Sequence, residues 1–91
     1  MQYRIVYTYT EKGADHQRFV VGTTSEFTVT NRPLMATMFD THVGVKNMLQ
    51  LVFADIAEHG NSDEHAYIEQ RVCKKWVPLT AFKAINPLVH L

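Results

Sequence analysis

The chain has 91 residues, 46% hydrophobic and 20% charged, with nine basic and nine acidic side chains and a formal net charge of zero. That length allows one core and excludes two independent ones, so residues 1–91 are expected to form a single domain of modest stability. Zero net charge excludes a global field that would attract nucleic acid or an anionic membrane.

The first elements read as strands. "YRIVYTYT" places Tyr3, Ile5, Tyr7 and Tyr9 on one face and Arg4, Val6, Thr8 and Thr10 on the other. "EKGAD" is a loop in which Gly13 supplies a positive φ for a hairpin. "HQRFVVGTT" and "EFTVTN" are two further β-rich runs, and connections this short make antiparallel pairs.

The period then changes. "RPLMATMF" is expected to form a short helical turn from Pro33, a favoured first helical position. In "THVGVKNMLQLVFADIAEHG", Val45, Met48, Leu49, Val52, Phe53 and Ile56 follow the spacing of one helical face. This predicts a helix from about residue 41 to 59, capped by Asp40 or Thr41, with Gly60 at a C′ glycine position. "AYIEQRV" alternates again, with Ile68 and Val72 opposite Tyr67, Glu69 and Arg71. "CKKWVPL" reads as a turn at Lys74–Lys75 and a final short or edge strand before Pro78. The expected fold class is α+β: order βββαββ, a mostly antiparallel sheet with one main amphipathic helix on one face.

Catalytic signatures are weak. "EHGNSDEH" (Glu58 to His65) gathers three carboxylates and two histidines, yet its spacing matches no metal motif and no cysteine accompanies it. A joint after the helix accounts for each residue: His59 suits the helix C-terminal dipole four residues after Asp55, and Gly60 to Asp63 favour a turn. Cys73 is alone, so no internal disulfide forms, and "RVCKKW" lacks a cysteine-enzyme signature. The four glycines are scattered, which excludes a glycine-rich phosphate loop. The expectation is a protein that is not an enzyme, with no catalytic residue, no metal and no cofactor.

Charge is unevenly placed. Residues 40–65 carry one basic against five acidic side chains, and residues 66–91 carry four basic against one acidic. A partner or a second copy is expected to engage at least one of two surfaces. Leu51 falls on the polar side of the helix, outside the apolar stripe, with Asp55 and Glu58 as neighbours, an apolar point rimmed by charge. Arg71, Lys74, Lys75 and Trp76 form a basic-aromatic cluster of the kind that anchors interfaces. Met35, Met38, Phe39 and the apolar tail "FKAINPLVHL" add surface for a partner or a second copy.

There is no signal-peptide pattern and no apolar run approaching the roughly 20 residues that span a bilayer. A cytoplasmic, membrane-free protein is expected, read as a complete small gene product. The function expected is a small interaction protein that binds and modulates a larger protein, as a phage or mobile-element accessory or inhibitor protein acting on host defence or nucleic-acid-processing machinery does; a homodimer is open. The alternative is a nucleic-acid-binding protein using the tyrosine-lined sheet face or the Arg71–Trp76 cluster.

Overall fold

The computed structural model describes residues 2–23, 26–60 and 63–79. Its strands are β1 (Tyr3–Glu11), β2 (Ala14–Gly22), β3 (Phe27–Thr30), β4 (His65–Val72) and β5 (Lys75–Pro78), with one helix, α1 (His42–His59), between β3 and β4. They form a five-stranded antiparallel sheet in the order β3-β2-β1-β4-β5. The α+β fold expected from the hydrophobic periods is therefore present.

α1 forms where the apolar spacing places it. Thr41 accepts a hydrogen bond on its side chain from the Gly44 N–H, at 3.0 Å, closing the N-terminus. The six stripe residues, Val45, Met48, Leu49, Val52, Phe53 and Ile56, are all buried. They meet Tyr3, Ile5, Val20, Ala66 and Ile68 from the sheet in one apolar cluster. Gly60 differs from expectation: its φ of −91° is extended, not left-handed, and its N–H donates to the Ile56 carbonyl at 2.8 Å. The chain thus leaves the helix without an αL residue at this cap. His59 lies 3.6 Å from its neighbour Glu58 instead of pairing with Asp55, and both are exposed.

Pro33–Met35 form a 3₁₀ turn, as the proline position predicts. The segment after this turn organises the sheet. The β1–β2 ladder runs from Val6↔Phe19 to Glu11↔Ala14, leaving the opening residues of β1 apart from the end of β2. Residues 37–39 occupy that split. The Thr37 N–H donates to the Val20 carbonyl at 3.0 Å, and its hydroxyl accepts from the Gly22 N–H at 2.9 Å. Phe39 exchanges two 2.8 Å backbone bonds with Tyr3. Backbone groups that a splayed sheet would orphan are satisfied by this wedge. Gly22 is required by close approach here, because a Cβ would meet the Phe27 Cβ at 2.8 Å.

The face away from α1 carries its own cover. Arg4 lies opposite Glu69, and its guanidinium donates to that carboxylate at 2.8 Å. The same guanidinium carbon sits 4.6 Å from the Phe19 ring centroid and 4.3 Å from that of Trp76. The Arg4 and Glu69 side chains are only 11% and 9% exposed, so the cation is enclosed between two rings and one carboxylate. Val6, Phe19 and Ala36 are buried beside them, with Tyr67 packed against that group.

The β4–β5 turn falls at Cys73–Lys74, one residue earlier than expected, and Lys75 opens β5. The reason is the Val72↔Lys75 pair, which leaves two residues for the loop. Both adopt left-handed backbone, with φ of 50° and 66°, where L side chains are strained. The β1–β2 turn uses the same geometry but places Gly13 at the second position.

Two variants test this account. Phe53→Ala should cost roughly 3–5 kcal/mol, since Phe53 is fully buried, and urea denaturation followed by circular dichroism reads the loss. Replacing Cys73→Asn with Lys74→Gly should instead raise stability by about 1 kcal/mol, because these residues tolerate the left-handed turn. An unchanged midpoint would show that the turn stores no strain.

Candidate functional site: an acid-rimmed groove beside the helix

Along α1, the residues flanking the buried stripe on the β3 side are Leu51, Ala54, Asp55 and Glu58. With Glu26 and Phe27, where β3 begins, they enclose a hollow of about 280 Å³. Leu51 and Phe27 are half-buried against the main core and supply an apolar floor. Glu26, Asp55 and Glu58 are exposed and supply a carboxylate rim. A second hollow of about 350 Å³ lies along the same helix, walled by Gly22, Thr23, Phe39, Gly44, Asn47 and Met48. The end of β2 with Thr23, the start of β3 with Glu26, and one flank of α1 therefore bound the two hollows.

Sequence spacing brings Leu51, Asp55 and Glu58 together, and the structure does so. It also seats Leu51 partly against the core instead of leaving it an isolated exposed leucine. Glu26 and Phe27 were not expected at this site. They reach it across more than 20 residues of chain, and no local pattern signals that closure.

Tyr7 reports the electrostatics nearby. Burial pushes its phenol well above the ordinary value of 10.0, and a hydrogen bond to Glu64 adds to the effect. The negative charges of Glu64, Asp55 and Asp63 push the same way. Together with Glu26 and Glu58 they give this end of the molecule an acidic character.

The basic-aromatic cluster is divided. Trp76 stands opposite Arg71 on the face away from α1, and its ring covers Arg4. Arg71 donates to the Gln2 side chain at 3.1 Å. Lys74 is at the turn tip, and Lys75, opposite Val72, is on the α1 face. The basic hairpin and the start of β4 lie at opposite ends of an eight-residue strand, roughly 20–25 Å apart. The charge asymmetry of the sequence thus becomes a spatial one.

Tyr3, Tyr7 and Tyr9 of β1 share the α1 face but not an environment. Tyr3 is 4% exposed and edge-on to His42, with ring centroids 4.9 Å apart. Tyr9 stacks on His16 at 5.1 Å, and Arg18 approaches its ring at 5.5 Å. Tyr7 is held among carboxylates. Among the described residues, no group of three His, Cys, Asp or Glu side chains is placed to hold a metal. Asn61 and Ser62 of the joint, and the tail from residue 80, lie outside the described residues.

No family model, no curated protein and no solved structure matches this chain.

The Tyr7 environment makes a pH prediction. A phenol whose folded pKa is raised favours the fold while it stays protonated. That contribution is complete below the unfolded value of 10.0 and is lost as pH rises toward the folded value. Stability should therefore fall above about pH 10, and Tyr7→Phe should flatten part of that fall. Equal alkaline slopes for the two proteins in urea titrations would count against the assignment.

Proposed function

We propose that this chain is a non-enzymatic binding protein that engages a basic surface of a larger protein partner through the groove between α1 and β3. The observation that carries the reading is the combination of the Phe27–Leu51 floor with the carboxylates of Glu26, Asp55 and Glu58. Apolar area with a charged rim is the composition of a binding patch, and the rim sets the sign of its partner. Glu58 stands in the last turn of α1, where a negative charge opposes the helix dipole at about 0.3–1 kcal/mol. Carboxylates kept at that position gain a purpose if a cation meets them.

An accessory or inhibitor protein of a phage or mobile element has this profile. A nucleic-acid-processing or host-defence target would carry the lysines and arginines that neutralise phosphates, and those are the groups this rim would meet. The same carboxylates disfavour the nucleic-acid alternative on the tyrosine face, because they would repel phosphate.

The test uses the groove against the distant hairpin. Leu51→Asp, and separately Asp55→Lys with Glu58→Lys, should each weaken binding to the partner recovered from a host lysate by tenfold or more, about 1.4 kcal/mol. Lys74→Glu with Lys75→Glu serves as the comparison at the other end. Circular dichroism checks that each variant folds. Wild-type affinity in both folded groove variants would place the interface elsewhere. Salt-sensitive binding of single-stranded DNA or RNA by the wild type would favour the nucleic-acid reading.

A further inference from the structure

We infer that β3 is a dimerisation edge along which two copies of this chain pair antiparallel, about a two-fold axis at Val29. The inference shares Glu26 with the groove reading, but its readout, the oligomeric state of the chain alone, needs no groove partner.

β3 is the last strand on its side of the sheet, and β2 is its one ladder partner among the described residues. Alternate residues of an antiparallel strand direct their backbone N–H and C=O groups to opposite sides, so every second residue of β3 presents unpaired groups outward. Edges are commonly blunted by lysine or proline. The opposite edge, β5, contains both, in Lys75 and Pro78. β3 reads Phe27-Thr28-Val29-Thr30 and contains neither.

The strand and its flanks are self-complementary. With Val29 of one copy opposite Val29 of the other, Thr28 faces Thr30 within β3; carried past the strand's ends, where the chain bends at Asn31, the same register brings Phe27 toward Asn31 and Glu26 toward Arg32. The register thus has a β-branched pair at its centre, threonine pairs beside it and opposite charges at both ends, each a favourable cross-strand combination. It also keeps both α1 helices on one side of the joined sheet. Sliding the strands by two residues, the smallest shift that preserves those faces, removes both charge pairs.

The surrounding surface is free to take part. The side chains of Glu26 and Arg32 make no ion pair or hydrogen bond with the described residues, and both are exposed. The chain bends at Asn31 and is extended again at Arg32, with φ −103° and ψ 108°. Val29 is 40% exposed, and Leu34 and Met35, in the 3₁₀ turn that packs on β2, are 95% and 60% exposed. Pairing along β3 brings a second chain beside these residues. A short edge with a few apolar neighbours makes a small interface, so an affinity on the order of micromolar is expected.

Sedimentation equilibrium across micromolar to millimolar concentrations tests the inference. The wild type should show a concentration-dependent monomer–dimer equilibrium. Glu26→Arg and Arg32→Glu should each weaken it by roughly tenfold, since each change places like charges opposite one another twice in a symmetric dimer. The double variant, Glu26→Arg with Arg32→Glu, should return to near the wild-type value. Val29→Lys should abolish dimerisation while leaving the circular dichroism spectrum unchanged. A wild type that stays monomeric at millimolar concentration overturns the inference, as does a double variant no stronger than the singles. A dimer that survives Val29→Lys, or an edge that accepts only an extended peptide from another protein, overturns it equally.

Discussion

An α-helix with its side chains is about 10 Å wide and strands are spaced about 4.8 Å apart, so one helix covers roughly two strands. This sheet has five. α1 lies mainly over β1 and β4, the two central strands opposite its stripe, and every other feature of the molecule answers to the surface it leaves uncovered. Beneath the helix, Ile5 of β1 and Ile68 of β4 are completely buried, whereas Val72 at the far end of β4 is 44% exposed. The apolar side chains of β3 are also less covered: Phe27 is half-buried and Val29 exposed. The groove beside α1 is the step between the covered and the uncovered part.

Among the described residues, the second face meets the same deficit without a second helix. There the sheet is sealed by long side chains lying across it, with Arg4 sandwiched between Phe19 and Trp76 and held to Glu69. Arginine suits this position because its planar, weakly hydrated cation stacks on rings and pairs with a carboxylate at once. Such a pair contributes less to net stability than its attraction implies, since both charges were taken from water. Its value lies in covering Val6 and Phe19 with groups that have polar partners. The 3₁₀ turn is succeeded by Ala36, which joins the same cover, and residues 37–39 then close the gap between β1 and β2.

Function, in this reading, occupies what the core does not use. The acidic rim is at the C-terminal end of α1, and the basic hairpin is at the far end of β4. A molecule with no net charge thereby presents a negative end and a positive end. Complementary fields of this kind act on encounter rate and orientation more than on raw affinity. The groove supplies the apolar contact that the field alone lacks, and the edge of β3, unpaired among the described residues, borders it.

The hydrophobic periods by themselves determined the fold class, the six core positions of α1, and the alternation of β1 and β4. Each of these rests on local geometry, in which side chains repeat every 3.6 or 2 residues along one element. The helical wheel likewise determined that Leu51, Asp55 and Glu58 share a flank. Local pattern was silent where distant segments meet. It did not give the order β3-β2-β1-β4-β5, the wedge of residues 37–39, or the partnership of Trp76 with Arg4 from the other end of the chain. It placed the β4–β5 turn one residue late, because the Val72↔Lys75 register decides the loop, not the local preference for turns. It grouped Arg71, Lys74, Lys75 and Trp76, which strand alternation then sends to different faces. Glu26 and Phe27 join the groove only because β3 folds back beside the helix. These outcomes were decided by the tertiary structure, since a contact between remote segments depends on how the whole chain shares one limited core, and no single segment carries that information.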